Sequence, residues 1–196
     1  MIHPAPPILL ASTSVHRRAL LSRLGLPFDA LAPPVDEAEI PGEAPPERAL
    51  RLARAKAAAI ASQHADALVV GSDQVASLAG SGIEVLHKPG DRATCRRQLL
   101  AMSGRVARFD TAVCLRHGEV ELTHVDTTLV HFRELTAAEV DHYMDREPSF
   151  DCAGGFKCEG LGVTLFRAIE TRDPTALVGL PLIWLCEALR RMGVVV

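Results

Sequence analysis

Aromatic residues are scarce in this chain of 196 residues, since one tryptophan, one tyrosine and six phenylalanines make up only 4% of it. Hydrophobic residues still account for 48% of the chain. The composition therefore predicts a sizeable core of aliphatic and alanine side chains. We expect a globular protein with a single domain over residues 1–196.

A strong excess of charge is also missing. The formal net charge is -3 at pH 7, and 23% of the residues are charged. This balance gives no general attraction to nucleic acid or to an anionic membrane. We therefore expect neither as a partner, and any anion site must be built from locally placed cations.

Long apolar runs and paired cysteines are absent as well. The run at residues 177–186 contains Gly179 and Pro181 and is too short to span a bilayer, and no basic leader precedes the brief apolar run at residues 8–11. The five cysteines show no CxxC spacing, which favours reduced thiols over disulfides or a zinc site. These features predict a cytoplasmic protein.

Asp73 stands in the middle of an apolar stretch, residues 67–78, that is otherwise typical of a strand buried on both faces. An ionised aspartate is strongly unfavourable there unless a metal ion, a cation or hydrogen-bond donors accompany it. The alternative is that the strand ends at Gly71 and that Ser72 and Asp73 form a turn.

A turn with the hydroxyl residues Ser12 and Ser14 precedes a helix predicted over residues 15–24. Arg17 and Arg18 lie in its first turn, where the helix dipole disfavours cations. Hydroxyls, backbone N–H groups and two guanidinium groups make this turn a candidate phosphate site. A solvated pair of arginines is the alternative.

The next helix, predicted over residues 46–63, has a lysine in its apolar stripe. Lys56 lies between Ala53 and Ile60 at helical spacing. The lysine either extends to water along the helix surface or reaches a buried anion.

A glycine-rich segment follows at residues 151–162 and includes Lys157 and Glu159. Four glycines in twelve residues indicate a backbone that turns tightly or lets a ligand approach closely, and a plain flexible loop is the alternative. Residues 163–169 are typical of a further strand. Because helices and strands alternate early and hairpins appear in the middle, we predict a mixed α/β sheet with flanking helices.

Together these segments supply the groups that phosphate chemistry needs. Hydrolysis of a phosphoanhydride requires cations or divalent metal ions at the oxygens and a group that positions or deprotonates water. The acids are Glu37, Asp73 and Glu159, and the cations are Arg17, Arg18, Lys56, Lys88 and Lys157.

The chain resembles the Maf family of nucleoside triphosphate pyrophosphatases through the motifs ILLASTSVHRRALLSRLG, PPVDE, GSDQV, HKP and CAGGFKCEGLG. SDQ and FKxEG are similar to the branch associated with 7-methyl-GTP, whereas the dTTP/UTP branch reads ADT and YxIQG. The resemblance implies an elongated mixed α/β fold similar to inosine triphosphate pyrophosphatase, with two lobes around a cleft. It also implies hydrolysis of a nucleoside triphosphate to the monophosphate and pyrophosphate with Mg²⁺ or Mn²⁺.

The resemblance further implies a role for each matching residue. Asp73 is the implied proton acceptor and, with Glu37, a metal ligand. The implied substrate-binding residues are Ser12, Arg17, Arg18, Lys56, Lys88 and Lys157. The implied specificity residues are His16, Gln74 and Glu159. Val15 and His16 stand where this branch usually has proline and tryptophan, and an imidazole stacks on a base less strongly than an indole.

Two other functions stay open. One is hydrolysis of other triphosphates, either dTTP and UTP or noncanonical nucleotides. The other is a nucleotide-binding regulator of septum formation, against which the general-base carboxylate of Asp73 argues. A homodimer is compatible with the sequence, but no residue pattern requires it.

Overall fold

The computed structural model describes residues 6–79 and 83–196. The strands in these residues are β1 (Ile8–Ala11), β2 (Phe28–Leu31), β3 (Leu68–Ala79), β4 (Ile83–Leu86), β5 (Val106–His117), β6 (Val120–Phe132) and β7 (Phe166–Glu170). The α-helices are α1 (Val15–Ser22), α2 (Pro45–Ala61), α3 (Arg92–Met102), α4 (Ala137–Arg146) and α5 (Leu182–Arg191). Within the same residues, no helix has both the length and the hydropathy that a membrane span requires.

The strands form one mixed sheet in the order β2-β1-β3-β5-β6-β7, with β4 paired to β3. Strand β1 runs parallel to β2 and to β3, whereas β4 is antiparallel to β3 and β7 is antiparallel to β6. The predicted mixed α/β fold is therefore confirmed.

The described chain divides into two compact units. Unit 1 holds residues 6–74, 111–126 and 173–196, and unit 2 holds residues 75–79, 83–110 and 127–172. Strands β3, β5 and β6 contribute residues to both units.

The core of unit 1 is aliphatic, as the composition predicts. Helices α1 and α5 bury leucines against strands β1, β3 and β5 of the sheet. The buried members of this cluster are Ile8, Leu10, Leu20, Leu21, Leu68, Val70, Val113, Leu115, Leu180, Leu182, Leu185, Ala188, Leu189 and Val194.

The core of unit 2 differs from that prediction, because it contains an aromatic cluster. Phe109, Phe132, Phe156 and Phe166 pack edge to face with ring centroids 4.9 to 5.6 Å apart. Four of the six phenylalanines of the chain thus gather in one place. A composition averaged over the whole chain hides such a local concentration.

The prediction of a strand over residues 163–169 is also partly wrong. Residues Leu161–Leu165 form a short 3-10 helix, and β7 begins only at Phe166. The hydroxyl of Thr164 donates a hydrogen bond to the carbonyl oxygen of Leu161 at 2.8 Å. This local bond favours the turn over the extended conformation that the β-branched residues suggested.

Candidate active site

Asp73 lies inside β3, so the alternative in which the strand ends at Gly71 is wrong. The residue is 7% exposed. Because side chains alternate along a strand, Gly71 and Asp73 face one side of the sheet, and Ser72 and Gln74 face the other.

Gly71 allows α2 to approach β3 unusually closely. A Cβ atom at this position would lie 2.3 Å from the carbonyl oxygen of Ala53 and 2.7 Å from the backbone nitrogen of Ala57. Any larger residue would therefore push the helix away. The close contact brings Lys56, from the same helix, to the carboxylate of Asp73.

Lys56 forms an ion pair with two carboxylates. Its Nζ lies 2.6 Å from Oδ1 of Asp73 and 2.7 Å from Oε1 of Glu37. Lys56 is only 6% exposed, whereas the side chain of Glu37 is 58% exposed. The prediction of a buried anion beside Lys56 is confirmed, and the alternative of a lysine that extends to water is wrong.

The same two carboxylates are suited to a divalent metal ion. Asp73 and Glu37 both direct an oxygen at one cation, the ammonium of Lys56. Carboxylate oxygens are the ligands that Mg²⁺ and Mn²⁺ prefer in proteins. These residues therefore fit the metal that the resemblance implies, and their role as its ligands stays a prediction.

The turn before α1 is built by its two serines. Ser14 caps the helix by accepting a hydrogen bond from the backbone nitrogen of Arg17 at 3.4 Å, and Ser12 Oγ accepts one from the backbone nitrogen of Ser14 at 3.1 Å. Ser12 is buried, and His16 is half-buried in the first turn. The predicted cap is thus present, with backbone and hydroxyl groups at the start of the helix.

The two arginines of α1 have different surroundings. Arg17 is half-buried and donates from Nε to the carbonyl oxygen of Gly179 at 2.9 Å, whereas Arg18 is exposed. Burial lowers the pKa of Arg17, and the nearby negative charges of Asp73 and Glu37 partly offset this effect. Arg17 therefore belongs to the electrostatic environment of the ion pair, and the role of either arginine in phosphate binding stays a prediction.

Gln74 is oriented by bonds on the opposite side of β3. Its Nε2 donates to Thr111 Oγ1 at 2.8 Å and to the carbonyl oxygens of Ala176 and Leu177 at 3.1 Å each. All three acceptors belong to unit 1, so hydrogen bonds within this unit fix the orientation of the amide group. The role of Gln74 in base specificity stays a prediction.

The remaining predicted residues belong to unit 2. Lys88 and Glu159 are exposed and Lys157 is half-buried. The backbone nitrogen of Lys157 donates to the hydroxyl of Tyr143 at 3.1 Å, and a Cβ atom at Gly162 would lie 2.2 Å from the Lys157 carbonyl oxygen. The glycine-rich segment is therefore a tight turn held by Tyr143, as one of the two sequence interpretations predicts. Burial raises the pKa of Tyr143 to about 12, so this hydroxyl stays neutral.

The buried polar residues of unit 1 to which the sequence motifs assign no role include Ser72, Thr111 and Asp173. Ser72 carried a signal, because it directly precedes Asp73 within an apolar strand. Asp173 did not, because an aspartate before Pro174 is typical of a simple turn.

Comparison with known proteins agrees with the motifs. The family described as Maf-like protein matches residues 7–192. The chain belongs to the Maf family. A protein of Xanthomonas axonopodis pv. citri (strain 306), named 7-methyl-GTP pyrophosphatase, is 55% identical over 188 residues, which are 96% of this chain and 97% of that protein. A protein of Thiobacillus denitrificans with the same name is 49% identical over 197 residues, or 99% of this chain and 96% of that protein.

Proposed function

We propose that this Maf protein is a cytoplasmic nucleoside triphosphate pyrophosphatase of one domain that hydrolyses 7-methyl-GTP to the monophosphate and pyrophosphate. The observation that carries the proposal is the buried Asp73 beside Lys56 and Glu37, because a buried carboxylate next to a cation is suited to water activation at an anionic substrate. The names of the similar proteins support 7-methyl-GTP as the substrate.

The proposed reaction is attack of water on the α-phosphorus. The bond from this phosphorus to the bridging oxygen breaks, pyrophosphate leaves, and Asp73 accepts a proton from the attacking water. Arg17 and Lys56 neutralise the phosphate oxygens, with Ser12 as a hydroxyl donor. A divalent ion held by Asp73 and Glu37 would supply further charge neutralisation.

A panel of triphosphates tests this proposal. Phosphate release in the presence of added inorganic pyrophosphatase should give a higher kcat/KM for 7-methyl-GTP than for GTP, UTP, dTTP or noncanonical nucleotides. Higher values for UTP and dTTP would assign the chain to the other branch. Binding of nucleotides without turnover would instead support a regulator, and full activity after thorough chelation would exclude the metal.

The base preference is tested by Glu159→Gln. A carboxylate accepts hydrogen bonds from the N1–H and N2 amino groups of guanine, and it favours the positive ring of 7-methylguanine. Loss of such a charge-assisted bond, worth roughly 1.5–3 kcal/mol, should lower kcat/KM for 7-methyl-GTP by about one to two decades. The values for UTP and dTTP should change much less. A uniform fall for all nucleotides would give Glu159 a part in the chemistry instead.

A further inference from the structure

Residues 173–180 of unit 1, which we term the anchor segment, are fixed at both ends by a buried carboxylate. Asp173 is 3% exposed. Its Oδ1 accepts from the backbone nitrogen of Thr175 at 2.9 Å, and its Oδ2 accepts from the backbone nitrogen of Ile183, in the first turn of α5, at 2.7 Å. One side chain thus satisfies a donor near the start of the segment and a donor just after its end.

Side chains from three other elements converge on two carbonyl groups of the anchor segment. The Ala176 oxygen accepts from Thr111 Oγ1 at 2.9 Å as well as from Gln74. The Gly179 oxygen accepts from Nε of Arg17 at 2.9 Å and lies 2.9 Å from Oγ of Ser72, whose single O–H proton is shared between this oxygen and the Ala112 oxygen at 2.8 Å. The segment is therefore bonded to α1, β3 and β5 at once.

These bonds act on two groups of the candidate active site. Ser72 and Gln74 are the neighbours of Asp73 in β3, so their bonds to the anchor segment fix the backbone on both sides of the carboxylate. The bond from Nε of Arg17 to Gly179 restrains the plane of the guanidinium group, since the five N–H donors of arginine are rigidly connected. Gly179 has φ of 122°, a conformation that favours glycine, so the carbonyl position depends on this residue.

We propose that Ser72, Thr111 and Asp173 are positioning residues for the hydrolysis. Ser72 and Thr111 hold the carbonyl groups of the anchor segment, and Asp173 holds the segment itself. Through Gly179 they orient Arg17, and through β3 they fix Asp73. The inference rests on the proposed function for the reaction, but it concerns residues to which that function gives no role.

The test removes a buried hydroxyl group from side chains in each of the two units and compares the effects on activity and stability. Ser72→Ala and Thr111→Val should each lower kcat/KM for the best nucleotide of the panel by about 10-fold, because small displacements of catalytic groups have large effects on rate. Thr128→Val is the matched control, since Thr128 is fully buried and its hydroxyl bonds Thr171 Oγ1 at 3.0 Å in unit 2. It should lower the free energy of unfolding as much as Thr111→Val but leave kcat/KM unchanged.

A double-mutant cycle separates positioning from a general loss of structure. The lysine side chain has no N–H group at the position of the arginine Nε, so Arg17→Lys removes the hydrogen bond to the Gly179 carbonyl oxygen. Ser72→Ala should then lower kcat/KM by clearly less than its roughly 10-fold effect in the wild type, since only the part that acts through β3 on Asp73 remains. Effects that multiply in the double variant would overturn the coupling through Gly179.

Binding of inorganic pyrophosphate, measured by calorimetry, gives a readout that needs no turnover. Ser72→Ala and Thr111→Val should weaken it by about 10-fold, as expected when a bidentate anion-binding group loses its orientation. If both variants bind pyrophosphate like the wild type and differ from it in thermal stability alone, the residues are structural and the inference is wrong. The outcome of this binding test does not depend on which nucleotide, if any, the panel identifies as the substrate.

Discussion

Asp73 in unit 1 and Asp110 in unit 2 are both buried but have different partners. Asp110 in unit 2 is inaccessible, and Arg108 donates to its two oxygens from Nε and Nη2 at 2.8 Å each. Thr127 Oγ1 donates to the same carboxylate at 2.7 Å. Asp73 in unit 1 instead faces a lysine ammonium that it shares with Glu37.

The difference is the one expected between a structural carboxylate and a carboxylate with the functional role that we propose for Asp73. A guanidinium fork matches both oxygens of a carboxylate and fixes its geometry. An ammonium is a compact point charge, and here two carboxylates share it. Asp110 therefore has its bonding capacity taken up by protein groups, whereas the arrangement at Asp73 can rearrange when other cations or phosphates arrive.

The strongest test of this comparison is Asp73→Asn. The amide keeps the shape of the side chain but can neither accept a proton from water nor bind a metal ion as strongly. We expect a fall in kcat of at least about 100-fold with an intact fold. The measurement is kcat together with the circular dichroism spectrum and the thermal midpoint. Turnover near that of the wild type would remove Asp73 from the chemistry.

Lys56→Met examines the partner of Asp73. Methionine keeps the length and the apolar stem but removes the charge, so phosphate oxygens lose a neutralising group. We expect kcat/KM to fall by about 30-fold. The free energy of unfolding should also fall, by roughly 3 kcal/mol, because the buried Asp73 carboxylate loses its cationic partner, so the rate is expressed per folded molecule. A collapse of stability with a normal rate per folded molecule would make Lys56 structural.

Asp110→Asn is the matched change in unit 2 and should show the opposite pattern. Losing charge-assisted bonds to a buried group should lower the free energy of unfolding by about 2 kcal/mol. The loss is limited because the side chain of Arg108 is 47% exposed and can return to water. Chemical denaturation gives the stability and the substrate assay gives kcat, which should stay within about 3-fold of the wild type. A larger loss of kcat would show that the two aspartates are not as different as their partners indicate.

The sequence predicts the part of the site that depends on local pattern. Asp73 within an apolar strand and Lys56 on an apolar stripe both indicated a buried charge that needs a partner, and the structure pairs them. The element types followed from periodicity and capping, as at α1, where Ser14 caps the helix as predicted. These features involve residues that are close along the chain or are forced together by burial.

The contacts that the sequence did not reveal join residues far apart in the chain. The bond from Arg17 to the Gly179 carbonyl spans 162 positions, and the bond from Ser72 to it spans 107. Backbone carbonyl groups have no sequence signature, so a pattern of side chains cannot identify them as acceptors. The aromatic cluster of unit 2 was missed for a related reason, since Phe109 and Phe166 both pack on Phe156, which lies far from Phe109 in the chain and outside the strands.

Alkaline pH should have the smallest effect on activity, because it acts on stability alone, through buried groups that are neutral rather than ion-paired. Burial raises the pKa of the Cys95 thiol in unit 2 to about 11 and that of the Cys114 thiol in unit 1 to about 12, from an ordinary value of 9.0. The native state thus keeps protons that the unfolded chain releases above pH 9.0. The stability contributed by each thiol is fully present below pH 9.0 and falls by about 1.4 kcal/mol per pH unit above it, up to the folded pKa.

Chemical denaturation at intervals from pH 8 to pH 11 measures this slope. Cys95→Ala and Cys114→Ala should each make the decline in the free energy of unfolding shallower, because each removes one thiol that ionises in the unfolded chain alone. Alanine also removes buried volume, so the comparison uses the slope with pH and not the absolute stability. If the wild type and both variants lose stability in parallel, the thiols do not control the alkaline limit. A shallower slope for one variant alone would show which unit limits the stability at alkaline pH.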